Sequence, residues 1–135
     1  MKYTLDANVA GKWVLPEIGT ANALRIRDGF LKSAYELIAP DIFAIEVAHT
    51  LVRAERRKLL LEVPRHFADV MAVCPQLEDS LALLSRALEI ARSQRRGVYD
   101  CIYLALAERE NAPLITADQQ LLSVTGIPIV DLATF

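Results

Sequence analysis

Four acids stand where an acid is hard to accommodate. Asp6 follows "KYTL" and Asp118 follows "APLITA", each just past a segment that reads as a β-strand. Glu46 lies inside "DIFAIEVAHTLV", and Asp100 opens "YDCIYLALAERE", the most apolar helical stretch of the chain. A carboxylate in apolar surroundings needs a basic neighbour, hydrogen bonds or a metal, and no Lys or Arg in the expected core offers itself. If the four converge, their repulsion calls for a divalent cation among them. Oxygen ligands suit Mg²⁺ or Mn²⁺ better than zinc. Such an ion keeps waters, one open to activation and another replaceable by a phosphate oxygen, which is the chemistry of metal-assisted phosphodiester hydrolysis. Singly, each acid has an ordinary role. Asp6 and Asp118 could be helix N-caps, Asp100 could favour a helix dipole, and Glu46 could pair with a surface cation. Asp41 reads as a helix cap and Asp131 as a strand-end turn. Ordinary roles explain the set of four poorly.

The elements that must position these acids alternate between strands and helices. "KYTLD" (2–6) reads as a strand and "NVAGKWVL" as a short helix stopped by Pro16. Ala23, Ile26, Phe30 and Leu31 give 20–33 a helical stripe. "ELIAP" (36–40) is a strand, after which Asp41 is expected to cap a long helix through "IFAIEVAHTLVRAERRKLL". Pro64 should open a helix to about Met71, and "CPQLE" is a weak strand or loop. The stretch 80–96 reads as one amphipathic helix, capped by Ser80 and ended by Gly97. The stretch 99–110 is apolar nearly all round and therefore central, with Asn111 at its end. A strand at 112–118, a short helix "QQLLSV" and a strand at 127–132 complete the chain. This alternation predicts a three-layer α/β/α sandwich around a central, mainly parallel sheet, in one domain spanning 1–135. In such sheets ligands sit at the carboxyl ends of the strands, the edge onto which Asp6 and Asp118 should open.

Composition sets the outer bounds. At 135 residues and 53% hydrophobic, the chain can bury a core without disulfides or metals. A net charge of −2 announces neither a nucleic-acid nor a membrane partner, so any polyanion must be met by a local patch. Cys74 and Cys101 have no zinc-like spacing and read as buried thiols of a reducing compartment. The amino terminus lacks the pattern of a signal peptide, and no apolar run approaches a membrane span. The expected localisation is cytoplasmic.

The blocks "LDANVAGKWV", "APDIFAIEVAHTLVR", "YDCIYLALAERENAPLITADQQLL" and "IPIVDL" resemble, in order and spacing, those of the PIN-domain family, most closely the VapC-like toxins of type II toxin–antitoxin pairs. The resemblance implies a PIN fold and a Mg²⁺- or Mn²⁺-dependent endoribonuclease whose acids fall on Asp6, Glu46, Asp100 and Asp118. Asn8 and Thr116 match polar positions that could hydrogen-bond a metal water or orient a carboxylate. It also implies an RNA substrate, a small VapB-like antitoxin that wraps the domain, and a homodimer. Ala7 departs from the hydroxyl that many relatives carry, and "DQQLL" has glutamines where a basic residue is common; neither departure touches the acids.

A local basic patch is available. Arg53, Arg56, Arg57 and Lys58 follow Glu46 on its helix, and positions 7 and 11 beyond Glu46 return to within roughly 20° of its face. Arg53 and Arg57 could thus form a rail for a phosphate backbone. Arg92, Arg95 and Arg96 precede Asp100, and Arg95 and Arg96 are further candidates for RNA contact. Basic residues also favour helix carboxyl ends for their own sake. Two other schemes use other residues. A metal-free nuclease built on His49 and His66 leaves the four acids unexplained. A receiver-like phosphoacceptor would need an acid pair after the first strand and a lysine after a late one, and "DAN" and "LITADQQ" supply neither. A catalytically silent scaffold would have no reason to keep a repulsive cluster.

Overall fold

The computed structural model describes residues 1–135. Five strands form one sheet in the order β3-β2-β1-β4-β5, with β1 at Lys2–Leu5, β2 at Glu36–Pro40, β3 at Gln76–Glu78, β4 at Leu114–Thr116 and β5 at Ile129–Asp131. Every pairing is parallel, with Tyr3 opposite Leu37, Leu5 opposite Ile115 and Ile115 opposite Val130. Leu5, Leu37, Ile38, Leu114 and Ile115 are all buried, as expected of parallel strands covered on both faces.

The helices are α1 (Ala7–Gly11), α2 (Thr20–Leu31), α3 (Phe43–Arg56), α4 (Val63–Met71), α5 (Leu84–Gln94), α6 (Val98–Glu110) and α7 (Gln119–Leu122). With the right-handed crossovers that parallel connections follow, this strand order puts α1–α4 over one face as the chain runs from β1 out to β3, and α5 and α6 over the other on the return to β4; the packing of α1 on α3, α3 on α4 and α5 on α6 agrees. The expected α/β/α sandwich is thus present. Strand order reverses between β1 and β4, so the crevice that such a sheet offers to a ligand lies at their carboxyl ends. Residues 101–107 of α6 are buried without interruption, which bears out its central place. Gly11 lets α1 approach α3 closely: a Cβ there would stand 3.2 Å from the Thr50 methyl.

Three local expectations are corrected. Asp41 does not cap α3, whose N-cap is Ile42; its carboxylate accepts the Ser80 N–H at 3.3 Å and ties the end of β2 to the turn after β3. The stretch 80–96 is not one helix. A 3₁₀ turn at Leu81–Leu83 precedes α5, and the Ser80 hydroxyl, buried and unpartnered, caps nothing. Nor does Gly97 end α5: Arg95 takes the left-handed position instead (φ 54°), and Gly97 becomes the extended N-cap of α6. Asn111 does end α6, left-handed at φ 47°.

Candidate active site

Each of the four acids reaches the crevice from the amino-terminal end of a different helix. Asp6 is the N-cap of α1, where its Oδ1 accepts the Asn8 N–H at 3.3 Å. Asp118 is the N-cap of α7 and accepts the Gln120 N–H at 2.9 Å. Glu46 and Asp100 lie in the first turns of α3 and α6. The partial positive charge of a helix amino terminus favours an acid there, so the fold partly offsets the repulsion it creates. For Asp6 and Asp118 the capping role and a place in the crevice coexist.

Thr116 connects the two strand-end acids. Its hydroxyl donates to Asp6 Oδ2 at 2.7 Å while its oxygen accepts the Asp118 N–H at 3.0 Å. The Asp6 N–H in turn donates to the Ile115 carbonyl at 3.1 Å, which carries the β1–β4 ladder one residue past the strand. Because this linkage is backbone-anchored on both sides, the separation of Asp6 and Asp118 is set by strand register.

All four carboxylates line one cavity of about 200 Å³, together with Ala7, Asn8, His49, Thr50 and Arg53. Burial pushes the Asp6 carboxyl up to about 7, against the opposing hydrogen bonds from Thr116 and Asn8 and with help from the Glu46 and Asp100 charges. Glu46 is raised chiefly by burial and further by Asp100, with the Tyr103 hydroxyl and His49 pulling the other way. Asp100 is raised by burial and by Asp118, and Arg96 opposes the shift. Burial and the neighbouring charges thus move Asp6, Glu46 and Asp100 in the same direction, toward the protonated form.

The donors present fit a hard divalent cation. They are carboxylates backed by an amide and a hydroxyl, and Glu46 Oε1 and Asn8 Oδ1 are buried without any hydrogen-bond partner. In the present rotamers no three of the acids close into a ready ligand set, so an ion would have to draw the carboxylates inward.

Several residues were not expected here. Tyr103, only 2% exposed, turns its hydroxyl toward Glu46 without completing a hydrogen bond of good geometry, and burial beside that acid and Asp6 raises its ionisation well out of range. Its spacing of three from Asp100 was the available signal. Thr50, one turn beyond Glu46, reaches the cavity for the same reason; His49, whose place one turn from Glu46 already allowed it the cleft edge, walls the cavity as well. Nor is the crevice free of cations, since Arg53 lines it. Arg53 also walls an adjoining cavity of about 250 Å³ that includes Asn8, Thr50 and Arg57, so the two arginines follow one path away from the acids. Arg96 donates to Ser123 Oγ at 2.6 Å, which holds its charge near Asp100. Arg95 is exposed and lines neither cavity.

Comparisons with known proteins bear on the family and the fold. The PIN domain family profile matches residues 3–127. Ribonuclease VapC3 of Pyrobaculum aerophilum is 33% identical over 129 residues, which cover 90% of this chain and 92% of the relative. The crystal structure of PAE2754 from the same organism superposes with a TM-score of 0.73 at 23% identity, covering 99% of this chain and 91% of that one. VapBC2 from Rickettsia felis, crystallised with a DNA fragment from its promoter, superposes with a TM-score of 0.69 at 15% identity, over 97% and 98% of the two chains. From profile and relative together, the chain belongs to the PIN-domain family.

Proposed function

We propose that the protein is a metal-dependent endoribonuclease and the toxin of a type II toxin–antitoxin pair. The observation that carries the reading is the meeting of Asp6, Glu46, Asp100 and Asp118, from four separate elements, on one cavity at the carboxyl edge of the sheet. In this reading they hold Mg²⁺ or Mn²⁺. A bound ion supplies a Lewis acid that lowers the pKa of a water and neutralises charge on the scissile phosphate. The chain's own residues do the rest. Thr116 fixes Asp6 against Asp118, and Asn8 caps the set with an oxygen left free for a water. Arg53 takes a phosphate oxygen at the cavity wall, and Arg57 the next phosphate along the strand. In-line attack by water expels the 3′-oxygen, so the products carry a 5′-phosphate and a free 3′-hydroxyl.

The relative's description as a ribonuclease supports RNA as substrate. The Rickettsia assembly supports a small VapB-like antitoxin as partner. A homodimer and a cytoplasmic setting complete the proposal; no helix is long and apolar enough to cross a membrane. Incubation of purified protein with end-labelled single-stranded RNA tests it. Cleavage is expected with Mg²⁺ or Mn²⁺ and lost in EDTA and in Asp100→Asn; full activity in EDTA refutes the reading.

A further inference from the structure

The acidic cavity adjoins a second depression, of about 340 Å³, lined by Ile45, Glu46, His49 and Tyr99. Glu46 and His49 wall both spaces. The lip of the depression is made of side chains that the core does not use: Ile45 is 71% exposed and Tyr99 67%. Each directly precedes a crevice acid in sequence. Consecutive residues on a helix point about 100° apart, so a helix that aims Glu46 or Asp100 inward turns the residue before it onto the rim. Both acid-bearing helices therefore place a large apolar side chain beside the acids, and Tyr99 presents an aromatic ring with no partner in the chain.

We propose that this shelf holds one unpaired nucleobase of the RNA strand, from a nucleotide flanking the scissile phosphate, stacked on the Tyr99 ring beside Ile45. The inference rests on the nuclease reading above. Its physical basis is the division of the crevice surroundings: Arg53 and Arg57 wall one adjoining cavity, whereas Tyr99 and Ile45 wall the other. A nucleotide has the same division, an anionic phosphate and a flat, largely apolar base. Stacking on an exposed aromatic is tolerant of base identity, and a base engaged in a duplex is not free to enter.

The test is binding of short oligoribonucleotides to the cleavage-deficient Asp100→Asn protein, read by fluorescence anisotropy. One oligonucleotide is complete and the others are abasic at each position in turn. At one position, loss of the base is expected to weaken binding about tenfold. Tyr99→Ala in the same background should weaken binding of the complete strand about tenfold and erase the penalty at that position. In the protein that retains Asp100, Tyr99→Ala should raise KM more than it lowers kcat. Because Tyr99 is exposed, a melting curve can confirm that the variant folds. If Tyr99→Ala leaves every affinity unchanged, or dissociates an oligomer in sedimentation while the abasic penalty persists, the shelf is not a base site. Those results leave metal-dependent cleavage by the parent protein intact. Absence of that cleavage overturns the nuclease reading separately, and the anisotropy comparison still decides the shelf.

Discussion

Replacing Asp6 by asparagine should change stability in opposite directions at low and neutral pH. Burial raises the Asp6 carboxyl to about 7 from an ordinary 3.8. Below 3.8 both native and unfolded chains hold the proton, and this group's share of stability is fully present. As pH rises toward 7, the unfolded chain releases the proton while the native state keeps it, so stability falls and then levels off above the folded value. Some three pH units at about 1.36 kcal/mol each give a loss of about 4 kcal/mol. Asp6 is only half-buried as a residue and faces an open cavity, which reduces the loss to roughly 2–4 kcal/mol. The amide that replaces the carboxyl cannot ionise. It can keep the cap to the Asn8 N–H but loses an acceptor for the Thr116 hydroxyl, at a cost of about 1 kcal/mol at every pH. The variant should therefore be about 1 kcal/mol less stable than the parent near pH 4 and about 1–3 kcal/mol more stable near pH 8. Glu46 and Asp100 are raised in the same direction but are present in both proteins and largely cancel in the difference. The assay is urea unfolding in EDTA, followed by circular dichroism at several pH values. A parent–variant difference that stays constant across the range refutes the reasoning.

Other perturbations probe the surrounding groups. Arg53→Ala combined with Arg57→Ala should weaken binding of single-stranded RNA and reduce the slope of log K against log salt by about 1.4, since two fewer phosphates are neutralised; an unchanged slope in a salt titration would mean a solvated helix end. Tyr103→Phe keeps the buried ring and removes a hydroxyl facing Glu46, so it should leave the melting temperature near that of the parent and lower Mg²⁺ affinity by about tenfold or more, measured by calorimetry. Thr116→Val cuts the linkage between Asp6 and Asp118 and should cost about 1–3 kcal/mol in urea unfolding while raising the Asp6 pKa further. Added Mg²⁺ should raise the parent's melting temperature at about pH 7.5, because the native cluster binds the ion better than the unfolded chain does. The Asp100→Asn protein should respond far less.

The sheet and the placing of its acids were legible because they depend on local signals that burial reinforces. Leu5, Ile38 and Ile115 are strand residues covered on both faces, and an acid immediately past such a strand can only open onto the carboxyl edge. The helix 99–110 was legible because an all-apolar helix must be enclosed. What failed were caps. Asp41 looked like an N-cap, but the competing bond to the Ser80 N–H, 39 residues away in sequence, is a tertiary fact. Gly97 looked like a helix end because glycine favours the left-handed conformation, yet Arg95 adopts it two residues earlier and leaves Gly97 to start the next helix. Tyr103 was hidden for a related reason: a tyrosine in an apolar helix does not announce the buried carboxylate it faces. Arg96 was expected as an RNA contact, and the charge it sets against Asp100 is not something a basic run announces. Arg53 was expected as part of a rail, but its entry into the acid cavity depends on how closely α3 approaches α1, where Gly11 leaves room for the Thr50 methyl.

In the proposed function, four carboxylates gathered at the strand ends hydrolyse RNA with a divalent ion. The most direct measurement is analysis of product ends after cleavage of a labelled single-stranded RNA by the parent and by Asp100→Asn, with Mg²⁺ and with EDTA. Products with a 5′-phosphate and a 3′-hydroxyl are expected from the parent with Mg²⁺, and intact RNA in the other three reactions. Products ending in a 2′,3′-cyclic phosphate, or cleavage by the parent that persists in EDTA, would contradict it.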